Sequence, residues 1–138
     1  MQLVPYLNFD GKCAEAFALY EKIFDGKITF MMTNGESPMK DTVPVELHGA
    51  VMHATLELPG GQVLQGADAA GDWYKTPAGF AVSMSLDDVE KAEHIFKELV
   101  HGGVEGMAMQ ETFWAKRFGM LTDRFGIPWM INVYKPMS

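Results

Sequence analysis

The stretch YLNFDGKCAEAFALYEKIFDGKITF, residues 6–30, has the pattern of a short strand, a helix and a second strand. Its apolar residues recur at helical spacing, at Cys13, Phe17, Tyr20 and Phe24. The stretch SMSLDDVEKAEHIFKELVHGGVEGM, residues 83–107, repeats this plan. Its apolar stripe is Val89, Ala92, Phe96 and Leu99. The chain therefore contains two copies of one strand–helix–strand unit.

Local signals predict where the two helices begin and end. Asp87 together with Glu90 is a plausible cap of the second helix, because such side chains satisfy otherwise free amide donors. Gly26 and Gly102 stand where helices commonly stop.

Strand patterns continue after each helix and complete a βαβββ module in each half. The predicted strands are 27–32, 48–58 and 62–67 in the first half, and 104–110, 115–121 and 128–134 in the second. The turns PGG and DRFG each separate the last two strands of a half. We predict an α+β fold in a single domain, residues 1–138. Repeat 1 covers about 1–68, a linker 69–78, and repeat 2 79–138.

Composition limits the classes of partner. Hydrophobic residues make up 48% of the 138-residue chain and the net charge is −7, which describes a globular protein with an acidic surface. Such a surface repels phosphate backbones and anionic lipid, so we expect no nucleic-acid or membrane partner. Cys13 is the single cysteine, which excludes an internal disulfide. No signal segment or long apolar run is present, so we expect a soluble cytoplasmic protein.

Two segments stand outside the repeat. The excursion from Thr33 to Leu47 is long for a compact domain and is a lid, an interface element or a disordered loop. In the linker, Trp73 and Tyr74 either cap a pocket, pack at a subunit contact or cover a sheet edge.

Strand periodicity separates an apolar face from a mixed polar face on several strands. On VMHATLEL, His53, Thr55 and Glu57 share the polar face. Tyr6 and Asn8 share it on the first strand. A sheet with helices on one side and a cleft on the other produces this pattern, and so does a sheet with one face in water.

The motifs PYLNFDGKCAEAFALYEKIF, HATLEL and QETFWAKRFGMLTDRFGIPWMINVYK resemble the PhnB-like branch of the vicinal oxygen chelate (glyoxalase/bleomycin-resistance/dioxygenase) superfamily. The resemblance covers nearly the whole chain. It implies two βαβββ modules that form a curved mixed sheet around a cavity, usually in a homodimer. Some sequences of this branch carry a ubiquinone-related methyltransferase name. We set that activity aside, because the chain has no glycine-rich strand-to-helix fingerprint of a nucleotide-type methyl donor.

The superfamily's enzymes hold a divalent ion with His, Gln or Glu side chains from the first and last strands of each module. At the positions that the resemblance implies, this chain has Pro5 or Tyr6, Gln65, Ala81, and Met130 with Asn132 nearby. These are weak ligands, so the usual metal site is degraded and we expect no cofactor. The alternative is one divalent ion (Mn, Fe, Ni or Zn) on displaced ligands, namely His53, Glu57 and Glu111.

We predict that a small-molecule ligand contacts the polar strand faces. The predicted ligand-binding residues are Tyr6, Asn8, His53, Thr55, Gln65, Ser83, Trp114, Trp129 and Asn132. His53 is either a ligand, base or anion anchor in a cleft, or a hydrogen-bonded structural histidine. His53 and Glu57 are the catalytic candidates, although Glu57 is also explained as a solvated carboxylate at a strand end. Glu111 is explained equally by a structural or dimer-contact role.

Most residues singled out in the C-terminal hairpin have a structural explanation. Trp114 and Trp129 either line a pocket or pack in the core. Asp123 is expected to stabilise its turn, Gly126 to supply a positive φ, and Pro128 to start the final strand.

Two functions follow as the main candidates, and a purely structural dimer is a third. The first is a small-molecule-binding protein without a catalytic metal. The second is a divalent-metal lyase, isomerase or dioxygenase of the glyoxalase type with displaced ligands.

Overall fold

The computed structural model describes residues 1–136, in two compact units that divide between Lys75 and Thr76. This division lies inside the predicted linker 69–78, which holds a 3₁₀ turn at Gly71–Trp73. The last two residues of the predicted second repeat, 137 and 138, lie outside the described residues. The expectation of a single domain stays a prediction.

The first unit is one βαβββ module. Its elements are β1 (Tyr6–Phe9), α1 (Cys13–Ile23), β2 (Lys27–Thr33), β3 (Val51–Glu57) and β4 (Val63–Asp68). The sheet has the order β1-β4-β3-β2. β1 runs parallel to β4, and the other neighbours are antiparallel.

The second unit repeats this topology. Its elements are β5 (Val82–Ser85), α2 (Val89–Val100), β6 (Val104–Gln110), β7 (Ala115–Thr122) and β8 (Pro128–Tyr134). The order is β5-β8-β7-β6, with β5 parallel to β8. The predicted α+β fold of two βαβββ modules is confirmed.

Each helix buries its apolar stripe on one face of its own sheet. On α1, the side chains of Cys13, Phe17 and Tyr20 are fully buried, and on α2 Ala92 and Leu99 are buried. The strands alternate accordingly, so β1 buries Leu7 and Phe9 and exposes Tyr6 and Asn8. The opposite face of each sheet therefore carries the polar positions that the periodicity predicted.

Two glycines let the helices approach the sheets closely. A Cβ at Gly66 of β4 would lie 2.7 Å from the Leu7 carbonyl oxygen and 2.9 Å from the Phe17 ring. A Cβ at Gly119 of β7 would lie 2.6 Å from Met109 Sδ and 2.9 Å from the Phe96 ring. Space rather than backbone angle therefore favours glycine at both positions, and more strongly at Gly66, where the nearest atom is a backbone oxygen.

The helix termini differ in part from the prediction. Asp88, not Asp87, caps α2: its carboxylate accepts hydrogen bonds from the Glu90 and Lys91 amides. The predicted cap was one residue too early because both aspartates precede the helix. After α1, the left-handed residue is Asp25 (φ 54°) rather than Gly26, whereas Gly102 after α2 has the expected positive φ of 76°.

Asp68 joins the start of α1 to the start of β3. One of its carboxylate oxygens accepts from the Cys13 amide and the other from the Val51 amide, each at 2.9 Å. A single side chain at the end of β4 thus satisfies a free amide of the helix and fixes the strand that follows the long excursion.

The excursion between β2 and β3 is ordered by short-range hydrogen bonds. It contains 3₁₀ turns at Asn34–Glu36, Lys40–Thr42 and Val45–Leu47. Glu36 accepts from the amide and hydroxyl of Thr33, and these bonds lower the pKa of the Glu36 carboxyl. His48 Nε2 lies 3.0 Å from the Lys40 carbonyl and 2.9 Å from the Val43 carbonyl. The excursion is therefore a folded loop.

The turn between β7 and β8 has the predicted roles. Asp123 Oδ1 accepts from the Phe125 and Ile127 amides, Gly126 has φ 90°, and Pro128 begins β8. Beyond the prediction, Asp123 Oδ2 accepts from the Trp129 indole N–H at 2.9 Å.

The polar-side surface of the second unit includes paired methionines. Met107 of β6 lies opposite Met120 of β7, and their side chains are 38% and 37% exposed. Among residues 1–136, no helix is both long enough and apolar enough to cross a membrane.

Candidate functional site

Strand register places three of the predicted ligand-binding residues of the first unit, together with Phe30, in one row across the sheet. Tyr6 lies opposite Gln65, Gln65 opposite Thr55, and Thr55 opposite Phe30. The row crosses all four strands on the face away from α1. The expected ligand positions Tyr6 and Gln65 are therefore direct neighbours.

A hydrogen-bonded chain links Tyr6, His53 and Thr55 on this face. Tyr6 Oη lies 3.0 Å from His53 Nδ1, and Thr55 Oγ1 lies 3.3 Å from His53 Nε2. With the imidazole proton on Nε2, the Tyr6 hydroxyl donates to Nδ1 and the Nε2–H donates to Thr55. The network thus orients the imidazole and uses both ring nitrogens.

Burial raises the pKa of Tyr6 above 10.0, and the Coulombic effect of Cys13 raises it further. Tyr6 therefore keeps its proton at neutral pH and acts as a hydrogen-bond donor. The arrangement does not favour a phenolate that would act as a base.

Aromatic rings lie on both sides of the imidazole. The Tyr6 ring stacks on His53 with centroids 5.6 Å apart and planes 27° apart, and the Phe30 ring lies 5.8 Å from His53 at 49°. Tyr6 and Phe30 are 46% and 44% exposed. We name Tyr6, His53 and Phe30 the ring strip.

The second unit holds a separate polar group on the face away from α2. Asn132 is 2% exposed. Its Oδ1 accepts from the Trp114 indole at 3.4 Å and its Nδ2 donates to Ser83 Oγ at 3.4 Å. The Trp114 ring packs edge-on against Phe118, with centroids 5.3 Å apart. The asparagine at the end of the apolar β8 therefore bridges two strands and a tryptophan.

The remaining predicted residues lie in different surroundings. Asn8 is exposed two residues beyond Tyr6 on the same face. Trp129 is 2% exposed and bonded to Asp123, as a core residue would be. Glu57, exposed at the end of β3, lies opposite Lys27. Glu111 belongs to the second unit and forms an ion pair with Lys135 at 3.1 Å.

The donor set of neither unit suits a divalent ion. Within residues 1–136, neither unit brings together three His, Cys, Asp or Glu side chains that could hold a metal. The amide oxygen of Asn132 already accepts from Trp114 and is a weak, uncharged donor for a cation, and both nitrogens of His53 pair with Tyr6 and Thr55. We derive no chemical step through a metal ion.

A family model described as 3-demethylubiquinone-9 3-methyltransferase matches residues 1–132. The chain belongs to this family. The resemblance to the PhnB-like branch of the vicinal oxygen chelate superfamily is thereby confirmed, together with the structural similarities.

Relatives of this PhnB-like family span the same length as this chain. Protein YjdN of Escherichia coli (strain K12) is 34% identical over 143 residues, which cover 98% of this chain and 97% of YjdN. Protein PA1353 from Pseudomonas aeruginosa is 37% identical, with a TM-score of 0.89 and 99% of each chain covered. The PhnB protein from Bacillus cereus is 25% identical, with a TM-score of 0.78 and coverage of 96% and 99%.

A more distant structure shows the shared fold alone. The glyoxylase/bleomycin resistance protein/dioxygenase domain from Frankia sp. EAN1pec has a TM-score of 0.62 at 16% identity, over 97% of this chain and 95% of that one. The PhnB-like family thus has the vicinal oxygen chelate fold.

Sequence reasoning missed two aromatic members of these groups. Phe30 contacts His53 and Phe118 contacts Trp114, and neither phenylalanine was among the predicted site residues. Predicting the contact between Phe30 and His53 would have required the register of β2 against β3. A bulge between Ile28 and Phe30 shifts that register, and no feature of KITFMMT indicates it.

Proposed function

We propose that the protein binds a small organic molecule on the polar face of its first unit and needs no metal ion to do so. The observation that carries this proposal is the Tyr6–His53–Thr55 chain, bordered by partly exposed Tyr6 and Phe30 rings. A structural histidine in a core would not have large aromatic side chains half exposed beside it. Such rings with a few fixed polar groups are typical of a ligand site.

Binding is supported over catalysis by the state of the polar groups. Tyr6 holds its proton, and its hydroxyl and that of Thr55 pair with the two imidazole nitrogens of His53 inside the network. A general base needs a free acceptor within reach of the substrate. These groups therefore suit recognition and orientation of a ligand.

The family's name refers to methyl transfer, and the Bacillus cereus relative carries the same description. We do not extend that activity to this chain, because its sequence has no glycine-rich strand-to-helix turn for a nucleotide-type methyl donor. We propose instead that the fold presents a binding face.

We also propose that the protein is a cytoplasmic homodimer. The large exposed side chains of Trp73 (85%) and Phe113 (88%) support association, since such residues are enriched at interfaces. The net charge of −7 supports a small molecule or a second copy as partner rather than nucleic acid or anionic lipid.

Thermal shift across a metabolite panel, with native mass spectrometry of the purified protein, tests the binding proposal. A ligand present at 100 Kd adds about 2.7 kcal/mol to the free energy of unfolding. We expect His53→Ala to abolish the ligand-induced shift and His94→Ala, on the exposed side of α2, to preserve it.

Two outcomes contradict the proposal. One is a panel in which every stabilising metabolite acts equally on wild type and His53→Ala. The other is a stoichiometric transition-metal ion, retained without a His tag and lost in His53→Ala, which would favour the metal enzyme.

A further inference from the structure

The ring strip places two partly exposed aromatic rings beside the His53 imidazole. Its two centroid separations, 5.6 and 5.8 Å, are typical of interacting aromatic pairs. Tyr6 and Phe30 remain nearly half exposed, so part of each ring reaches the surface. A molecule that lies on the strip therefore meets unsaturated carbon and nitrogen rings.

The polar atoms of the strip are already paired with one another. The Tyr6 hydroxyl bonds to His53 Nδ1, and His53 Nε2 pairs with Thr55. A ligand that took a hydrogen bond from this network would have to break one. Contact with the exposed parts of the Tyr6 and Phe30 rings requires no such exchange.

The surroundings of the strip carry little charge. The side chains beside it on the same face, Gln65, Thr55 and Asn8, are uncharged. Farther along the sheet, Lys27 lies opposite Glu57, so a cation and an anion occupy one rung. An anionic ligand would gain no net attraction here and would be repelled by a chain of net charge −7.

We infer that the ring strip binds a flat, uncharged aromatic or heteroaromatic molecule by stacking. The amides of Gln65 and Asn8 lie on the same face and recognise a polar substituent of the ring. This inference rests on the proposed function and deepens it, because it names the chemical class of the ligand.

Three probes of similar size separate the contributions of aromaticity and of charge to binding. 2-Naphthol is flat and neutral, 2-naphthoate is flat and anionic, and decahydro-2-naphthol is neutral and saturated. We expect 2-naphthol to shift the side-chain NMR signals of His53 and Phe30. We expect the other two probes to bind at least tenfold more weakly. Equal affinity for the saturated or the anionic probe would overturn the inference.

Variants distinguish ring contact from hydrogen bonding. Phe30→Leu should weaken 2-naphthol binding about fivefold through the lost aromatic contact. Phe113→Leu, which removes an exposed ring in the second unit, should leave it unchanged. Tyr6→Phe keeps the ring and removes the hydroxyl, so binding should stay within twofold. Loss of binding in Tyr6→Phe with none in Phe30→Leu would show that the hydroxyl recognises the ligand, against the inference.

Different results would contradict the stacking inference and the proposed function. A stabilising metabolite that depends on His53 but is anionic or saturated would leave the proposed function standing and overturn the stacking class. If Phe30→Leu instead converts a dimer to a monomer, and 2-naphthol leaves His53 unchanged, the strip is a contact between copies and the inference is wrong. Thermal melting of each variant checks that it is folded.

Discussion

Asn132 bonds to Trp114 and Ser83 with both halves of its amide while almost fully buried. A buried amide without partners would cost roughly 1–3 kcal/mol, so these contacts make the residue compatible with an apolar strand. The neutral amide oxygen, which already accepts from the Trp114 indole, is a weaker metal ligand than a carboxylate. At this position the chain has a buried structural bridge between β8, β5 and Trp114.

Among the single side chains discussed here, Asp123 is the one whose removal should lower the free energy of unfolding most. Asp123→Ala removes the acceptor of two backbone amides and of the buried Trp129 indole. We expect a loss of roughly 2–4 kcal/mol in the free energy of unfolding, measured by urea denaturation. Asp123→Asn keeps one carbonyl acceptor and should lose less. Asp87→Ala, at an exposed carboxylate, serves as the control; a loss as large as that of Asp123→Ala there would contradict the assignment.

Cys13 gives a prediction for alkaline pH. Burial, and then the charge of Asp68, raises the pKa of the thiol from 9.0 to about 12. Above pH 9 the unfolded thiol loses its proton while the folded thiol keeps it, so the unfolded state binds fewer protons and stability falls as pH rises. The effect is fully absent below pH 9 and complete near pH 12.

The thiol should therefore lower the free energy of unfolding by roughly 2 kcal/mol between pH 9 and about pH 10.5. Cys13→Ala lacks the titrating group, so its unfolding free energy should fall by that much less over the same range. Parallel pH profiles for the two proteins would refute the prediction. The comparison uses slopes, because the variant also loses packing volume at every pH.

At the scale of the elements, Gly66 decides how closely β1 and α1 lie against β4. In Gly66→Ala the new Cβ meets the Leu7 carbonyl, which belongs to paired backbone and cannot move freely. We expect a loss of roughly 1–3 kcal/mol, measured by chemical denaturation. Gly119→Ala should cost less, because the nearest atom is the end of the flexible Met109 side chain. Gly49→Ala, with open space around the new atom, should leave stability unchanged; a comparable loss there would contradict the explanation.

Elements with strong periodicity were predictable from the sequence. The predicted β6 and β8 match the observed Val104–Gln110 and Pro128–Tyr134, and the buried stripe of α1 was read from its spacing. The strand predicted from His48 begins instead at Val51, because 48–50 belong to the folded loop. Local capping was harder, since two adjacent aspartates precede α2 and only geometry distinguishes them.

The polar faces were predictable as faces but not as networks. Alternation placed Tyr6, His53 and Thr55 on one side of their strands. That Tyr6 reaches across β4 to His53 depends on strand order, which brings residues 47 positions apart into contact. The Asp68 bridge to Cys13 and Val51 has the same cause. Long-range register is the information that one sequence lacks.

At the scale of the molecule, two modules of equal topology carry different chemistry. The first presents Tyr6, His53 and Phe30, and the second presents Trp114 and Asn132. The family has the vicinal oxygen chelate fold, and the positions where the resemblance implies metal ligands hold Pro5 or Tyr6, Gln65, Ala81 and Met130 in this chain. The fold therefore does not determine the function of this chain, since one fold hosts many activities.

The proposed homodimer makes a prediction at this scale. Sedimentation equilibrium should give a mass near twice the chain mass of 15.3 kDa. Trp73→Ser or Phe113→Ser, whichever side chain lies in the contact, should shift the mass toward 15.3 kDa without changing the thermal midpoint of the monomer. Val45→Ser, at another exposed apolar residue, is the matched control. A wild-type protein that stays at the chain mass at every protein concentration tested would refute dimerisation.

The neighbouring Met107 and Met120 make the second unit sensitive to peroxide. Oxidation would convert both thioethers to sulfoxides and give that surface polar, chiral groups. Strand pairing uses main-chain atoms, so the sheet would persist while the character of its outer side changed. Protein preparations aged in air would then differ from fresh ones in the hydrophobicity of this surface rather than in fold.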